Sequence, residues 1–177
     1  IARGISEEAH KVGAQVIGGD LSSAERITIS ITVIGECQEP ILRSGAQVGD
    51  HIYISDLPGW SAVGLKALQT GHTESNFAAA INRHQVPNFD GKAAETFSNG
   101  ASSLCDISDS LLIQGEQMAE ASGVCFEIDG QLFESHPDFA KLSQLANQLG
   151  INVSDLILSG GEDHVFLATY SGPTPPN

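Results

Sequence analysis

The sequence predicts an α/β fold in which a mixed β-sheet is packed with helices. Short apolar runs with period-two alternation are interleaved with runs of helical spacing. The connections between them vary too much in length for a regularly wound parallel sheet. Apolar residues make up 41% of the 177 positions and charged ones 17%, enough for a core and unlike a disordered chain. That length suits one domain, or one domain and part of a second, and buries roughly 70% of the unfolded surface when compact.

Near the start, Ser6 is placed to cap a turn over Glu7-Glu8-Ala9-His10-Lys11 that Gly13 closes. Ile27, Ile29, Ile31 and Val33 alternate with Thr and Ser, the pattern of a half-buried strand. Pro40 and the polar residues through Gly45 and Gly49 mark an internal boundary, dividing 1–39 from 40–177. His51 to Ser55 reads as a short strand, followed by a turn at Pro58-Gly59 and a helix from Ser61 to Gln69 with Ala62, Leu65 and Leu68 on one side. Two further helical patterns, Asn76 to His84 and Gly91 to Phe97, are split by Val86-Pro87.

Leu104 to Ile107 is a strand running into a helix from Asp109 to Glu120, for which Ser108 is the expected N-cap and Leu111, Leu112, Met118 and Ala119 the expected buried face. Val124 to Ile128 reads as another strand. Ser135-His136-Pro137 is expected to open a helix that ends at Leu149-Gly150, with Pro137 at its first position. A final strand, His164 to Tyr170, follows Ser159-Gly160-Gly161. Ile1 is not an initiator Met, and Pro173 to Asn177 follow an apolar strand directly. The chain is therefore expected to be a piece of a longer protein.

With 8 basic and 22 acidic side chains, a formal charge of −14 argues against a nucleic-acid binder and against docking to anionic lipid. No apolar run is long enough to span a membrane, and no signal-peptide pattern opens the chain. Cys37, Cys105 and Cys125 are odd in number and far apart, the usage of a reducing compartment, so a cytoplasmic location is expected. There is no Walker A loop, dinucleotide fingerprint, nucleophile elbow or H-x-x-x-H pair.

What remains is acids beside small residues at element ends. Gly18-Gly19-Asp20 lets a backbone approach a ligand and then presents a carboxylate. Asp106 and Asp109 flank Ser108 at a strand-to-helix junction, three residues apart, where one helical turn would face both toward one cation. Gly160-Gly161-Glu162-Asp163 is a third such group. Mg2+ takes oxygen ligands and is commonly shared between carboxylates and substrate phosphates. Arg43 is the best basic candidate for a phosphate because basic residues are scarce.

Each motif has an ordinary structural reading beside the functional one. Glycines before Asp serve turns. Asp106, Ser108 and Asp109 suit a helix start. Arg43 suits a surface ion pair. His164 and Trp60 read as packing residues, and the cysteines as core filling.

Taken in order, Gly18-Gly19-Asp20-Leu21-Ser22-Ser23, Ile29 to Gly35, Arg43-Ser44-Gly45-Ala46 with Gly49-Asp50, Leu57-Pro58-Gly59, Asp106-Ile107-Ser108-Asp109 and Ser159-Gly160-Gly161-Glu162-Asp163-His164 resemble the thiamine-monophosphate kinase family. That family lies within the aminoimidazole-ribonucleotide-synthetase superfamily, and the resemblance runs along nearly the whole chain. It implies that 1–39 is the end of an N-terminal ATP-binding domain and 40–177 an incomplete C-terminal α/β domain.

It further implies Mg2+-assisted transfer of the ATP γ-phosphoryl to thiamine monophosphate, and a homodimer. By position, Asp20, Asp106 and Asp109 match Mg2+ ligands, and Gly19, Asp20, Arg43 and Ser108 match ATP contacts. Glu162 and Asp163 fall on the substrate side. Two departures stand out: Ser110 replaces a Gly, and Asp56 stands where Gly is common. The family's other metal-binding aspartates do not occur in the sequence, so the chain alone is expected to be inactive. Two rival readings stay open: another ATP-dependent enzyme of the superfamily, or a non-catalytic phospholigand-binding or dimeric module.

Overall fold

The computed structural model describes residues 1–172, so the terminal Pro173 to Asn177 lies outside the described residues. The chain divides into two compact units, Ile1–Pro40 and Ile41–Asn177.

In the first unit, helix α1 (Ala2–Lys11) carries Ser6 inside it rather than at a cap, with His10 Nδ1 2.6 Å from the Ser6 carbonyl. Gly13, at φ +71, follows it as expected. The strand expected at Ile27 to Val33 does not form. A strand exists only through a partner's ladder, and none is paired here; Ile27 and Val33 are each 84% exposed.

The second unit contains an antiparallel sheet in the order β1-β3-β2, with β1 at His51–Ile54, β2 at Ser103–Ile107 and β3 at Val165–Tyr170. The described sheet is thus wholly antiparallel rather than mixed. His51 faces Tyr170 and Ile107 faces Val165, so the last strand lies in the middle. Both of its faces are covered, which is why Phe166 through Tyr170 are all buried in a near-continuous apolar run. Cys105, Ile107 and Leu167 pack with Leu111 and Met118 on one side. Phe166, Ala168 and Tyr170 pack with Phe97 on the other.

Helix α2 (Trp60–Thr70) begins after Gly59, whose φ of +105 explains the turn glycine. Its buried face is Trp60, Val63, Gly64 and Ala67, not the expected Leu65 and Leu68, which are 41% and 38% exposed. The small residues win that face because α3 (Ala78–Gln85) lies so close that a Cβ on Gly64 would come within 2.1 Å of the Ala80 carbonyl oxygen. Helix α4 (Gly91–Ser98) is capped by Asp90, which accepts from the N–H of Lys92 and Ala93 at 3.0 Å.

Helix α5 (Leu111–Ser122) starts two residues later than expected. Its cap is Ser110, whose Oγ accepts from Ile113 N at 3.2 Å, and not Ser108. Its buried face is Leu111, Gln114, Gly115 and Met118, while the expected Leu112 is exposed. Val124 to Ile128 is extended, and its alternate residues are half-buried, but it is not a strand. It lines a cavity of about 820 Å3 together with β1, and among the described residues no strand pairs with it.

Helix α6 (Phe139–Gln148) begins after Asp138, leaving Pro137 outside it, because Gly130–Ser135 closes first as a 3-10 turn in which Ser135 Oγ donates to Leu132 O. A short helix not expected from the sequence, α7 (Val153–Ser159), is capped by Asn152, which accepts from Ser154 N at 2.9 Å. Trp60, Phe77, Leu142, Leu145 and Ile157 form the core shared by these helices. Among the described residues no helix is long and apolar enough to cross a membrane.

Candidate active site

The site grows from two loops that interlock where β2 ends and β3 begins. β2 leaves the sheet at Ile107, and Ser108-Asp109-Ser110 bends into α5. Asp106 and Asp109 therefore sit on a strand end and a bend, not on one helical turn. On the other side, Gly160 to His164 leads into β3. The Glu162 N–H donates to Ser108 O at 2.6 Å and the His164 N–H to Ile107 O at 3.0 Å. Gly161 allows this approach, since a Cβ there would lie 2.4 Å from the Asp109 carbonyl oxygen and 2.8 Å from that of Ser108.

Glu162 and His164 both take left-handed backbone, at φ +64 and +54. Such conformations cost about 1–3 kcal/mol each in non-glycine residues, so the surroundings hold them in place. His164 lies between the two acids, with Nδ1 3.7 Å from Asp106 Oδ2 and Nε2 3.3 Å from Glu162 Oε2. It is thus not merely a packing residue.

Asp163 points elsewhere. One carboxylate oxygen accepts from Gly59 N at 2.6 Å and the other from Ser61 N at 2.9 Å, at the start of α2. Burial pushes its carboxyl above the usual carboxylate range, against the pull of those two N–H donors and the charge of Arg83.

Two glutamines of α5 hold the loops around the site. Gln114, 1% exposed, places Nε2 3.4 Å from both Ser108 Oγ and Asp109 Oδ2, while its Oε1 is buried without a partner. Gln117, one turn on, accepts from Arg43 Nη1 at 2.7 Å and so steers that guanidinium along α5. Ser122 Oγ accepts from Gly45 N and Ala46 N, fixing the Arg43 loop to the same helix. Sequence reasoning missed Gln114 and Gln117 and read His164 as a packing residue. The usable signal was helical spacing, because Gln114 falls three after Leu111 and four before Met118, on the buried stripe.

Gly19 and Asp20 belong to the first unit. A Cβ on Gly19 would meet nothing within 4 Å among the described residues, and Asp20 is exposed, accepting from Ser22 Oγ at 3.3 Å. In the second unit the backbone bonds of the two loops make neighbours of the Asp106–Asp109 segment and the Glu162 loop, with Arg43 held to Gln117 of α5.

Among the described residues no Lys or Arg pairs with Asp106, Asp109 or Glu162. His164 is the basic side chain beside Asp106 and Glu162, and the ligand atoms of Asp106, Asp109 and Glu162 do not converge within 4.8 Å of one another. The contrast is the cluster Asp56, His136 and Asp138, whose ligand atoms lie within 4.8 Å of one another. There Arg83 already stands 3.1 Å from Asp56 and 3.8 Å from Asp138, and stacks on Trp60 at 4.9 Å. A guanidinium fills the role a metal would have.

Comparison with known proteins decides the kinship. Residues 1–37 match the family model of the AIR synthase related protein, N-terminal domain. The thiamine-monophosphate kinase of Mycobacterium tuberculosis is 37% identical over 175 residues, covering 97% of this chain and 51% of that protein. The Aquifex aeolicus enzyme of the same name is 31% identical over 169 residues, covering 94% of this chain and 54% of that protein. The chain is a relative of the thiamine-monophosphate kinases. It spans about half the length of the curated relatives it matches.

Solved structures agree. One described as AaThiL complexed with AMPPCP and TMP superposes with a TM-score of 0.66 and 31% identity, over 73% of this chain and 42% of that one. The thiamine monophosphate kinase structure from Aquifex aeolicus gives 0.67 and 30%, over 77% and 48%.

Proposed function

We propose that this chain forms part of an enzyme that transfers the γ-phosphoryl group of ATP to thiamine monophosphate, yielding thiamine diphosphate and ADP. The observation that carries the reading is the interlocked pair of loops presenting Asp106, Asp109 and Glu162 with no compensating Lys or Arg among the described residues, in a relative of these kinases. The relative solved with AMPPCP and TMP supports the pair of substrates.

In this reading an oxygen of the acceptor phosphate attacks the γ-phosphorus as the bond to the β–γ bridging oxygen breaks. Such a transfer needs positioning and charge neutralisation more than covalent help. Mg2+, when bound, supplies that neutralisation, and Asp20, Asp106 and Asp109 are the residues proposed to hold it. Gly19, Ser108 and Arg43 contact the nucleotide, and Gln117 aims the Arg43 fork at its phosphates. Glu162, backed by Asp163, stands on the acceptor side.

Residues 1–39 are proposed to end an ATP-binding domain and 40–177 to form the next domain. The first is supported by the family match over 1–37. A homodimer in the cytoplasm completes the proposal. Because the relatives are about twice as long, turnover belongs to the natural protein that contains these residues, and these 177 residues alone are expected to be inactive.

Calorimetric titration of that natural protein with AMPPCP tests the nucleotide half. Tight binding should need Mg2+, and Asp106→Asn should weaken it by about tenfold or more. Binding indifferent to Mg2+ and to that substitution would refute the metal assignment.

A further inference from the structure

We infer that Asp163 is a positioning residue, a clamp that fastens the Glu162 loop to the start of α2 and thereby fixes the acceptor side of the site. The inference rests on the reading of Glu162 as an acceptor-side residue. Asp163 does not share the open side with its neighbours. Its two oxygens are spent on Gly59 N and Ser61 N, which lie more than 100 positions away in sequence.

The residues on either side of it hold left-handed backbone. That geometry persists only when it is fastened from more than one direction. Two fastenings come from the β2–α5 bend, through Glu162 N and His164 N. A third, and the one made by a side chain, is the Asp163 carboxylate. It meets α2 where backbone N–H groups lack intrahelical partners and where a negative charge is favoured by the helix dipole.

Gly59 makes the contact possible, because its φ of +105 turns the chain just ahead of α2. Without the clamp, the loop keeps only its contacts to the bend. The Glu162 carboxylate then samples positions about 1 Å or more from the productive one, a displacement that costs up to about a hundredfold in rate.

The test uses the natural protein with Asp163→Asn and Asp163→Ala. Asn keeps one acceptor oxygen and Ala keeps none. Hydrogen exchange at the Gly59 and Ser61 amides reports the clamp directly, with the Ser102 amide, bonded to Thr169 O at 2.8 Å, as a control for the fold. Asp163→Ala should speed exchange at both amides by about tenfold or more and leave Ser102 protected. The KM for thiamine monophosphate should rise by about tenfold while that for Mg-ATP stays within about twofold, with Asp163→Asn between wild type and Ala.

Unchanged exchange at Gly59 and Ser61 would overturn the clamp, as would equal changes in the two KM values. Should neither variant fold, the wild-type protein decides, since unprotected amides at Gly59 and Ser61 would be incompatible with it. A natural protein that lacks the kinase activity but shows the exchange pattern would sink the functional reading and keep the clamp.

Discussion

Ser110 replaces the glycine of the related motif, and the backbone there explains why the exchange is tolerable. Its φ of −178 is extended, a conformation open to any residue, and its hydroxyl caps α5. Ser and Gly are both serviceable N-caps, Ala is not. Ser110→Gly should therefore cost a few tenths of a kcal/mol and Ser110→Ala about 1 kcal/mol, read from urea midpoints. Asp56, the other departure, accepts from Leu57 N at 2.8 Å and pairs with Arg83, so it serves its own turn rather than a ligand.

Cys105 is a second residue with a definite expectation. Burial pushes its thiol up to about 11 from 9.0. The folded state thus holds a proton that the unfolded state releases first, and stability should fall as pH rises from about 9 to 11. Tyr170, also raised by burial, adds in the same direction. At neutral pH a thiol reagent should modify the exposed Cys37 and Cys125 and reach Cys105 only in denaturant. Of the three cysteines expected to fill the core, only Cys105 does; Cys37 lies exposed in a stretch without helix or strand, and Cys125 on the outward side of the Val124 to Ile128 alternation. Sequence reasoning was silent on Gln114 and read His164 as packing, because both roles depend on strands and helices meeting from distant parts of the chain.

Elements meet at two glycines whose substitution separates packing from function. Gly64→Ala should destabilise the protein by about 1–3 kcal/mol, because the new methyl group runs into the Ala80 carbonyl at the α2–α3 contact. Thermal unfolding measures it. Gly161→Ala strikes the Asp109 and Ser108 carbonyls and should push the two loops of the site apart. Its signature is a loss of activity of about a hundredfold, larger than its effect on stability suggests.

The helices α2 to α6 and the three strands were foreseeable from spacing and punctuation. The errors have shared causes. Caps were placed at the first plausible Ser or Pro, whereas Ser110 and Asp138 win because bends and a 3-10 turn precede them. Period-two patterns at Ile27 to Val33 and Val124 to Ile128 promised strands, but alternation specifies a face and not a partner. The short α7 was hidden between turn glycines.

For the whole molecule, the acidic balance excludes nucleic-acid partners only in a general way. In the proposed reading, carboxylates that no Lys or Arg pairs among the described residues make phosphoryl transfer depend on a divalent cation. Chelation should abolish phosphoryl transfer, and added Mg2+ should restore it. The sequence made the site's motifs legible because each lies within a few residues. The interlock that bonds the Glu162 loop to the Ile107–Ser108 backbone required the antiparallel pairing of β2 with β3.

The most direct measurement follows thiamine diphosphate by fluorescence of its oxidation product after incubating the natural protein with Mg-ATP and thiamine monophosphate. Product should form, and Asp106→Asn should lower its rate by about a hundredfold or more. Absence of product from a folded, nucleotide-binding protein would contradict the account, as would an Asp106→Asn variant as fast as the wild type.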